Sequence, residues 1–314
     1  MCRHSATSTT PAVRSHPYLP RMSRAGIVTV TGRPNAGKST LLNRLVGQKL
    51  AITSAKPQST RNRVVGILSD SDSQLILLDT PGLLEPRYAL HESMRVVALS
   101  AVADADVIVY LNDASQGLAA DLASAAGLEV PPRAPIITAY NKVDLVPDST
   151  IDALRKLDPN ALFISAASGE GIDRLLNTIA RLLPVSPFLY GTEEISTQPL
   201  RFFVTELIRE AAFELLADEL PYAVACEIEE FREDRQPVYI RAVLYVERES
   251  QKRILVGAGG SRIRDLGRAA REKVEALVER PIYLDLWVKV LHNWRRNVPA
   301  LRRLGYPLPK EDHS

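Results

Sequence analysis

Eight residues, "GRPNAGKS" from Gly32 to Ser39, follow the spacing G-x-x-x-x-G-K-[ST] and lie between an apolar β-rich run and a helical pattern. In that context the spacing carries chemistry. Glycines clear the approach to backbone N–H groups gathered at a helix start, and those groups cradle phosphate oxygens. Gly32, Arg33, Pro34, Asn35, Ala36, Gly37, Lys38, Ser39 and Thr40 are therefore candidate phosphate-binding residues. Lys38 is expected to reach the β- and γ-phosphates, and the Ser39 hydroxyl to ligate Mg²⁺.

Three further stretches complete a nucleotide site. "DTPG" supplies Asp79, Thr80, Pro81 and Gly82: an aspartate at a strand end to hold Mg²⁺ through water, and a glycine whose N–H can sense the γ-phosphate. Thr60, in the polar loop "TSAKPQSTRNR", is the candidate that closes over the metal, with Ser59 as the alternative. Ser39, Thr60 and Asp79 thus form the expected metal set, and Lys38, Thr60 and Gly82 the expected catalytic set. "NKVD", comprising Asn141, Lys142, Val143 and Asp144, follows an apolar strand. Ligands bind at strand ends in open α/β sheets. A carboxylate at Asp144 accepts from guanine N1–H and its exocyclic amine, whereas adenine has no donor at N1; the nucleotide is therefore expected to be GTP or GDP. "ISAAS", with Ser165 and Ala166, is the candidate base-closing loop.

These motifs need a scaffold, and the sequence describes one. Short apolar runs at 27–30, 64–68, 74–80, 106–113, 135–144 and 161–166 alternate with helical stretches such as "GKSTLLNRLVG". Five are fully apolar in the middle, as strands buried on both faces tend to be. The pattern predicts a doubly wound, mostly parallel α/β sheet over 25–184. "SDSDS" between the second and third runs makes those two an antiparallel hairpin. Prolines and a glycine mark a linker over 185–199, and a different order follows across 200–306. A long amphipathic helix comes first, from Leu200 to Leu220. Strands near 222–231 and 237–247, helices around a second glycine loop, a strand at 281–290 and a basic tail helix near 293–304 come after it.

That second loop, "VGAGGSRIR", strips side chains from Gly257, Ala258, Gly259 and Gly260 and then places Arg262 and Arg264 beside them. With the nucleotide already seated, the loop is free for another anionic partner. Its order, helix–strand–strand–helix–G-x-x-G–helix–strand, resembles a type II KH domain, an α+β fold whose loop clamps single-stranded nucleic-acid backbone. Charge agrees: Lys252, Arg253, Arg262, Arg264, Arg268, Arg271 and Lys273 face only Asp265 and Glu272 over 252–273, while acids concentrate at 227–234. Net charge over all 314 residues is only +2, so any nucleic-acid footprint is local. Trp287, between Leu286 and Val288, is expected in the core rather than as a stacking platform; Trp294, beside Arg295, fits either role.

Two cysteines, Cys2 and Cys226, make no disulfide framework, the five histidines show no ligand spacing, and no apolar run is long enough to span a bilayer. The first 24 residues, rich in Ser, Thr, Pro and Arg and free of acids, suit a disordered tail or an over-long start with Met22 as initiator, against an organellar targeting segment. Residues 307–314 are expected to be a tail.

Taken in order, Gly32–Ser39, "STRNR", Asp79–Gly82 and Asn141–Asp144 resemble the translation-factor class of P-loop GTPases. With "ELPYAV", "VERESQKRILVG" and "LWVKV" in the second part, the chain from about 24 to 306 is similar to the Era family. The resemblance implies GTP hydrolysis, binding near the 3′ end of 16S rRNA and a role in maturing the 30S subunit. It also implies a cytoplasmic protein, associated peripherally with the inner face of the cell membrane; a monomer is expected. Leu83 stands where Ras-like enzymes carry a water-orienting glutamine, a departure that the family shares, so hydrolysis is slow or another group positions the water. Asn35 is a candidate ligand for K⁺, which replaces an arginine finger in related GTPases. Era-like G-x-x-G loops usually carry a lysine between the glycines; here Gly259 departs, leaving the charge to Arg262 and Arg264. Two rivals stay open: a GTP-gated module whose KH-like part docks a protein, and a GTPase of tRNA modification, a class with a reactive cysteine near the C-terminus, where none follows Cys226.

Overall fold

A computed structural model describes residues 23–54 and 56–309. The chain opens with β1 (Arg24–Thr31), α1 (Lys38–Val46), β2 (Val64–Ser69), β3 (Ser73–Asp79), α2 (Ala89–Ala103) and β4 (Val107–Asp113). It continues with α3 (Leu122–Ala126), β5 (Ile136–Asn141), α4 (Asp148–Leu157), β6 (Leu162–Phe163) and α5 (Ile172–Leu182). The six strands lie in the order β2-β3-β1-β4-β5-β6. β2 runs antiparallel to β3 and every other neighbouring pair is parallel. The hairpin closes as expected, with Asp70 Oδ1 accepting from the N–H groups of Asp72 and Ser73.

The period of two along β4 distributes its side chains between two layers. Val107, Val109 and Leu111 join Leu41, Leu42, Leu175 and Ile179 of α1 and α5 on one face. Ile108 and Tyr110 join Ala98, Val102, Leu122 and Ala126 of α2 and α3 on the other. β1 has β3 on one side and β4 on the other, which makes its carboxyl end a topological switch point, where open sheets bind ligands. Gly32–Ser39 leave the sheet there.

The segment 185–199 lies along the sheet edge: Ile67 N donates to Ile195 O (2.8 Å), and Gln198 Oε1 accepts from Val65 N (2.8 Å). Beyond it come α6 (Leu200–Leu215), α7 (Leu220–Ala223), β7 (Ala225–Arg232), β8 (Val238–Val246), α8 (Glu249–Val256), α9 (Ser261–Val278), β9 (Ile282–Val290) and α10 (Val298–Arg303). The helix expected to run to Leu220 ends at Leu215, because Leu216 turns extended and Asp218 takes a positive φ; α7 restarts with Pro221 in its first turn, where its missing N–H costs nothing. The basic tail helix is likewise shortened. A 3₁₀ turn, Trp294–Arg296, precedes α10, which Asn297 caps by accepting from Ala300 N (3.1 Å).

β7 and β8 pair antiparallel, and β8 and β9 pair parallel. On the inner face Ile240, Ala242, Leu244 and Val246 pack under α6 and α9. Val243 and Tyr245 point the other way, into a cluster with Trp294, Leu301 and Tyr306 that also takes in Leu90 and Met94 of α2. The two halves are therefore joined through a shared apolar cluster. Trp294 is fully buried there, its Nε1 donating to Ala223 O (2.8 Å). Trp287 is not in the core: it shares the outer face of β9 with Tyr283, pairs with Val243 across the sheet and is 53% exposed. Its apolar neighbours Leu286 and Val288 face inward, so alternation places Trp287 outside.

Candidate nucleotide and RNA sites

Gly37 caps α1 with φ 95°, a left-handed conformation that side chains rarely adopt. Gly82 is needed for space: a Cβ there would lie 2.6 Å from Pro34 N, so only glycine lets the "DTPG" turn touch the phosphate loop. Leu83 N donates to Gly32 O (3.0 Å), joining the two turns. The Leu83 side chain is 7% exposed and packs among Ala98, Val102, Ile108 and Tyr110. It faces the core and has no polar atom with which to hold water.

Three oxygens converge beside the loop. Ser39 Oγ donates to Asp79 Oδ2 (2.7 Å), Thr60 Oγ1 lies 3.0 Å from Ser39 Oγ, and Thr60 Oγ1 donates to Asp79 Oδ2 (3.2 Å). Asp79 Oδ1 is buried without a hydrogen-bond partner. Two hydroxyls and a carboxylate with one unsatisfied oxygen fit a hard divalent cation. Lys38, 6% exposed, donates to the carbonyls of Arg33 (2.9 Å) and Gly32 (3.3 Å). Burial pulls its ammonium down to about 8, against the opposing pull of Asp79. Burial raises the Asp79 carboxyl, and Lys38 opposes that rise. Between them opens a cavity of about 480 Å³ bordered by Asn35, Lys38, Thr40, Thr60, Gly82 and Lys142. Ile52, Thr53, Ser54, Gln58 and Ser59 also line it. Sequence reading passed over the first four of these, since a polar loop without a fixed motif gives no positional signal.

Asn141 braces the site more than it faces it. Its Nδ2 donates to Ala36 O (2.8 Å) and its Oδ1 accepts from Ala166 N (2.8 Å), tying the phosphate loop to the "ISAAS" turn. The Ala166 N–H is thereby engaged, and Ser165 Oγ accepts from Ser168 N (3.0 Å). Lys142, at φ 66°, pairs with Asp113 (2.7 Å), while Val143 is buried. Thr80 also turns inward, donating to Val30 O (3.0 Å). The side chains of Thr80, Leu83, Val143 and Ser165 therefore shape the loops from behind. Asp144 is exposed and has no hydrogen-bond partner among the described residues, as a base reader requires.

The second glycine loop joins α8 to α9. Gly257, Gly259 and Gly260 all have positive φ, and a Cβ on Gly257 would lie 2.9 Å from the Arg262 backbone nitrogen. Arg262 donates to Ile254 O (3.0 Å) and Arg264 to Gly259 O (2.7 Å), so both exposed guanidinium groups fold over the loop. Beside it runs a groove of about 420 Å³ between α9 and β9. Ile263, Ile282, Leu284 and Leu286 form an apolar floor, and Arg264, Arg268 and Arg271 a basic rim. Gly267 admits close packing of helix on strand, its Cβ position 3.6 Å from Leu286. An apolar floor for bases under a cationic rim for phosphates suits single-stranded RNA.

Comparison with known proteins finds relatives for both halves. Residues 27–142 match the family described as 50S ribosome-binding GTPase, and 219–295 match the KH domain. GTPase Era of Carboxydothermus hydrogenoformans is 39% identical over 291 residues, covering 90% of this chain and 98% of the relative. An Era variant from Aquifex aeolicus, solved with GDP·AlF4⁻, superposes with a TM-score of 0.85 at 36% identity, covering 91% of this chain and all of the other. A structure of Era in complex with MgGDPNP and nucleotides 1506–1542 of 16S ribosomal RNA matches with the same TM-score, identity and coverage. Likeness of this extent, across both halves, means that the chain belongs to the Era family of GTPases.

Proposed function

We propose that the protein binds and hydrolyses GTP with the site between Gly32–Ser39, Thr60 and Asp79–Gly82, and binds the 3′ region of 16S rRNA with the Gly257–Gly260 loop and its groove, assisting maturation of the 30S subunit. The observation that carries this reading is the presence of two glycine loops, each leading into a helix, at separate places in one fold. Backbone N–H groups of the first loop orient the phosphates, and Lys38, desolvated and held only by carbonyls, neutralises the charge that gathers on the β- and γ-oxygens. Ser39, Thr60 and Asp79 would hold Mg²⁺, which when bound neutralises charge between those phosphates. The Gly82 N–H, brought against Pro34, reads the γ-phosphate; Asp144 reads guanine. Leu83 leaves water positioning to another group, and K⁺ held near Asn35 would supply the charge that an arginine finger supplies in related GTPases.

The protein acts as a monomer in the cytoplasm. Any association with the cell membrane is peripheral, at its cytoplasmic face: among the described residues no helix is long and apolar enough to cross a bilayer.

Gly259→Asp tests the reading. Gly259 sits at φ 56° and ψ 22°, which aspartate tolerates, and its Cβ position meets nothing within 4 Å. The loop should therefore keep its shape while presenting a negative charge to the RNA backbone. In a fluorescence titration with a single-stranded oligonucleotide from the 3′ end of 16S rRNA, affinity should fall at least tenfold while GTP affinity is kept. Unchanged RNA binding would reject the RNA-binding role of this loop in favour of a protein-docking module.

A further inference from the structure

Arg61 directly follows the proposed metal-closing threonine, yet its side chain does not belong to the nucleotide site. It is 1% exposed and crosses into the second half of the molecule. There it donates to Val224 O (2.7 Å), Tyr222 O (2.9 Å) and, more distantly, Pro221 O (3.4 Å). Its guanidinium carbon lies 5.5 Å from the Trp294 ring and 6.0 Å from that of Phe213. Among the described residues no carboxylate is within ion-pairing distance of it, and the charge is satisfied by the carbonyls around α7 and by aromatic faces. Burial, reinforced by nearby Arg209, disfavours the charged form, while Tyr306 and Glu206 favour it.

Other bonds fasten the same loop to the same half. Arg209 of α6 donates to Ser59 O (2.8 Å), and Lys56 donates to Leu216 O (2.6 Å) and to Phe213 O. Neighbouring Cα atoms are ~3.8 Å apart, so seating Arg61 fixes the position of Thr60 to within one residue. The seat is built from carbonyls and rings of the second half, so it exists only while the two halves are docked.

We infer that Arg61 is a positioning residue for GTP hydrolysis: seated in the socket formed by α7, Phe213 and Trp294, it holds Thr60 in place beside Ser39 and Asp79. Docking of the RNA-binding half then completes the hydrolytic site. The inference rests on the reading of Thr60 as the metal-closing residue, and the experiment separates the two.

Full-length wild type, Thr60→Ala, Arg61→Ala, Arg61→Lys and the double alanine variant are compared for kcat and KM with GTP, for the Mg²⁺ concentration giving half-maximal rate, and for GDP affinity. Arg61→Ala should lower kcat by about tenfold to a hundredfold, the range spanned by hydrogen bonds to a charged group, and raise the Mg²⁺ requirement. GDP affinity should stay within about twofold, because the diphosphate lacks the oxygens over which Thr60 closes. Arg61→Lys should recover part of the rate. In the Thr60→Ala background, Arg61→Ala should cost nothing further, since both act through one contact. Losses that multiply in the double variant, or wild-type kcat in Arg61→Ala beside a slow Thr60→Ala, overturn this inference alone. A fully active Thr60→Ala overturns the metal reading and this inference with it. Should Arg61→Ala fail to fold, Arg61→Lys and Trp294→Phe carry the test: wild-type kcat in both overturns it.

Discussion

The groove beside Gly257–Gly260 makes a quantitative claim about salt. Three arginines, Arg264, Arg268 and Arg271, border it, and Arg262 stands at the loop, so four guanidinium groups are placed to meet phosphates. Each phosphate neutralised on a single strand contributes about 0.7 to the slope of log affinity against log salt. Four contacts give a slope near −2.8, or a loss of about 50-fold between 50 and 200 mM KCl. Removing one arginine should bring the slope to about −2.1 and the loss to about 18-fold. The four are not equivalent. Arg268 lies 3.8 Å from Asp265 and Arg271 3.9 Å from Glu275, so each must leave a weak helical ion pair to reach RNA. Among the described residues Arg262 and Arg264 form no ion pair and donate to the carbonyls of Ile254 and Gly259, and their alanine variants should show the full change. Anisotropy titrations of a labelled 3′-end oligonucleotide at four KCl concentrations measure the slope directly. Base preference should survive each substitution, because phosphate contacts position the strand without reading it. A wild-type slope near zero, or slopes unchanged in Arg262→Ala and Arg264→Ala, would refute the placement of the phosphates along this rim.

Three other expectations concern the nucleotide half. Asp144→Asn should weaken GTP binding by about tenfold to a hundredfold and improve binding of xanthosine triphosphate, with little change in melting temperature because Asp144 is exposed and unpaired; an unchanged preference for GTP removes it from base reading. Potassium should accelerate hydrolysis over sodium at equal ionic strength, and Asn35→Ala should abolish the difference; equal rates in the two salts point to a group supplied by a partner. Lys38, buried with its pKa lowered from 10.5 to about 8, binds fewer protons folded than unfolded between those values, so its own contribution to the stability of the nucleotide-free protein should grow as pH rises from 8 toward 10, against the opposite contribution of buried Cys226. The melting temperature of wild type relative to Lys38→Met should rise over that range; parallel curves would reject the assignment.

The nucleotide half was legible because its chemistry is local. A phosphate loop must be a strand, a glycine turn and a helix in sequence, so Gly32–Ser39 announced both the fold and the ligand. The antiparallel β2–β3 hairpin could be read from "SDSDS" for the same reason. What short-range signals could not carry was the relation between the halves. Arg61 reads as one more solvated base in "STRNR"; only the fold brings the carbonyls of Tyr222 and Val224, over 160 residues away, around it. Glu206, Arg209 and Glu210 pose the same difficulty, being charged residues of an amphipathic helix that are nonetheless buried, because α6 lies against the loop carrying Thr53 and Ser59 on the side that a lone helix would turn to water. Trp287 failed in the opposite direction. Its apolar neighbours suggested core, but in a strand they belong to the other face, and one residue of phase moved the ring outside. The departure at Leu83 gains a physical account from the same long-range view. A leucine packed against Ala98 and Ile108 anchors the "DTPG" turn to α2, and α2 in turn packs through Leu90 and Met94 on Trp294 and Leu301. A glutamine in its place would have to leave that packing to reach water. Apolar anchorage at position 83 and the buried guanidinium of Arg61 thus serve one arrangement, in which both loops over the γ-phosphate are held from the RNA-binding half and not by the nucleotide domain alone.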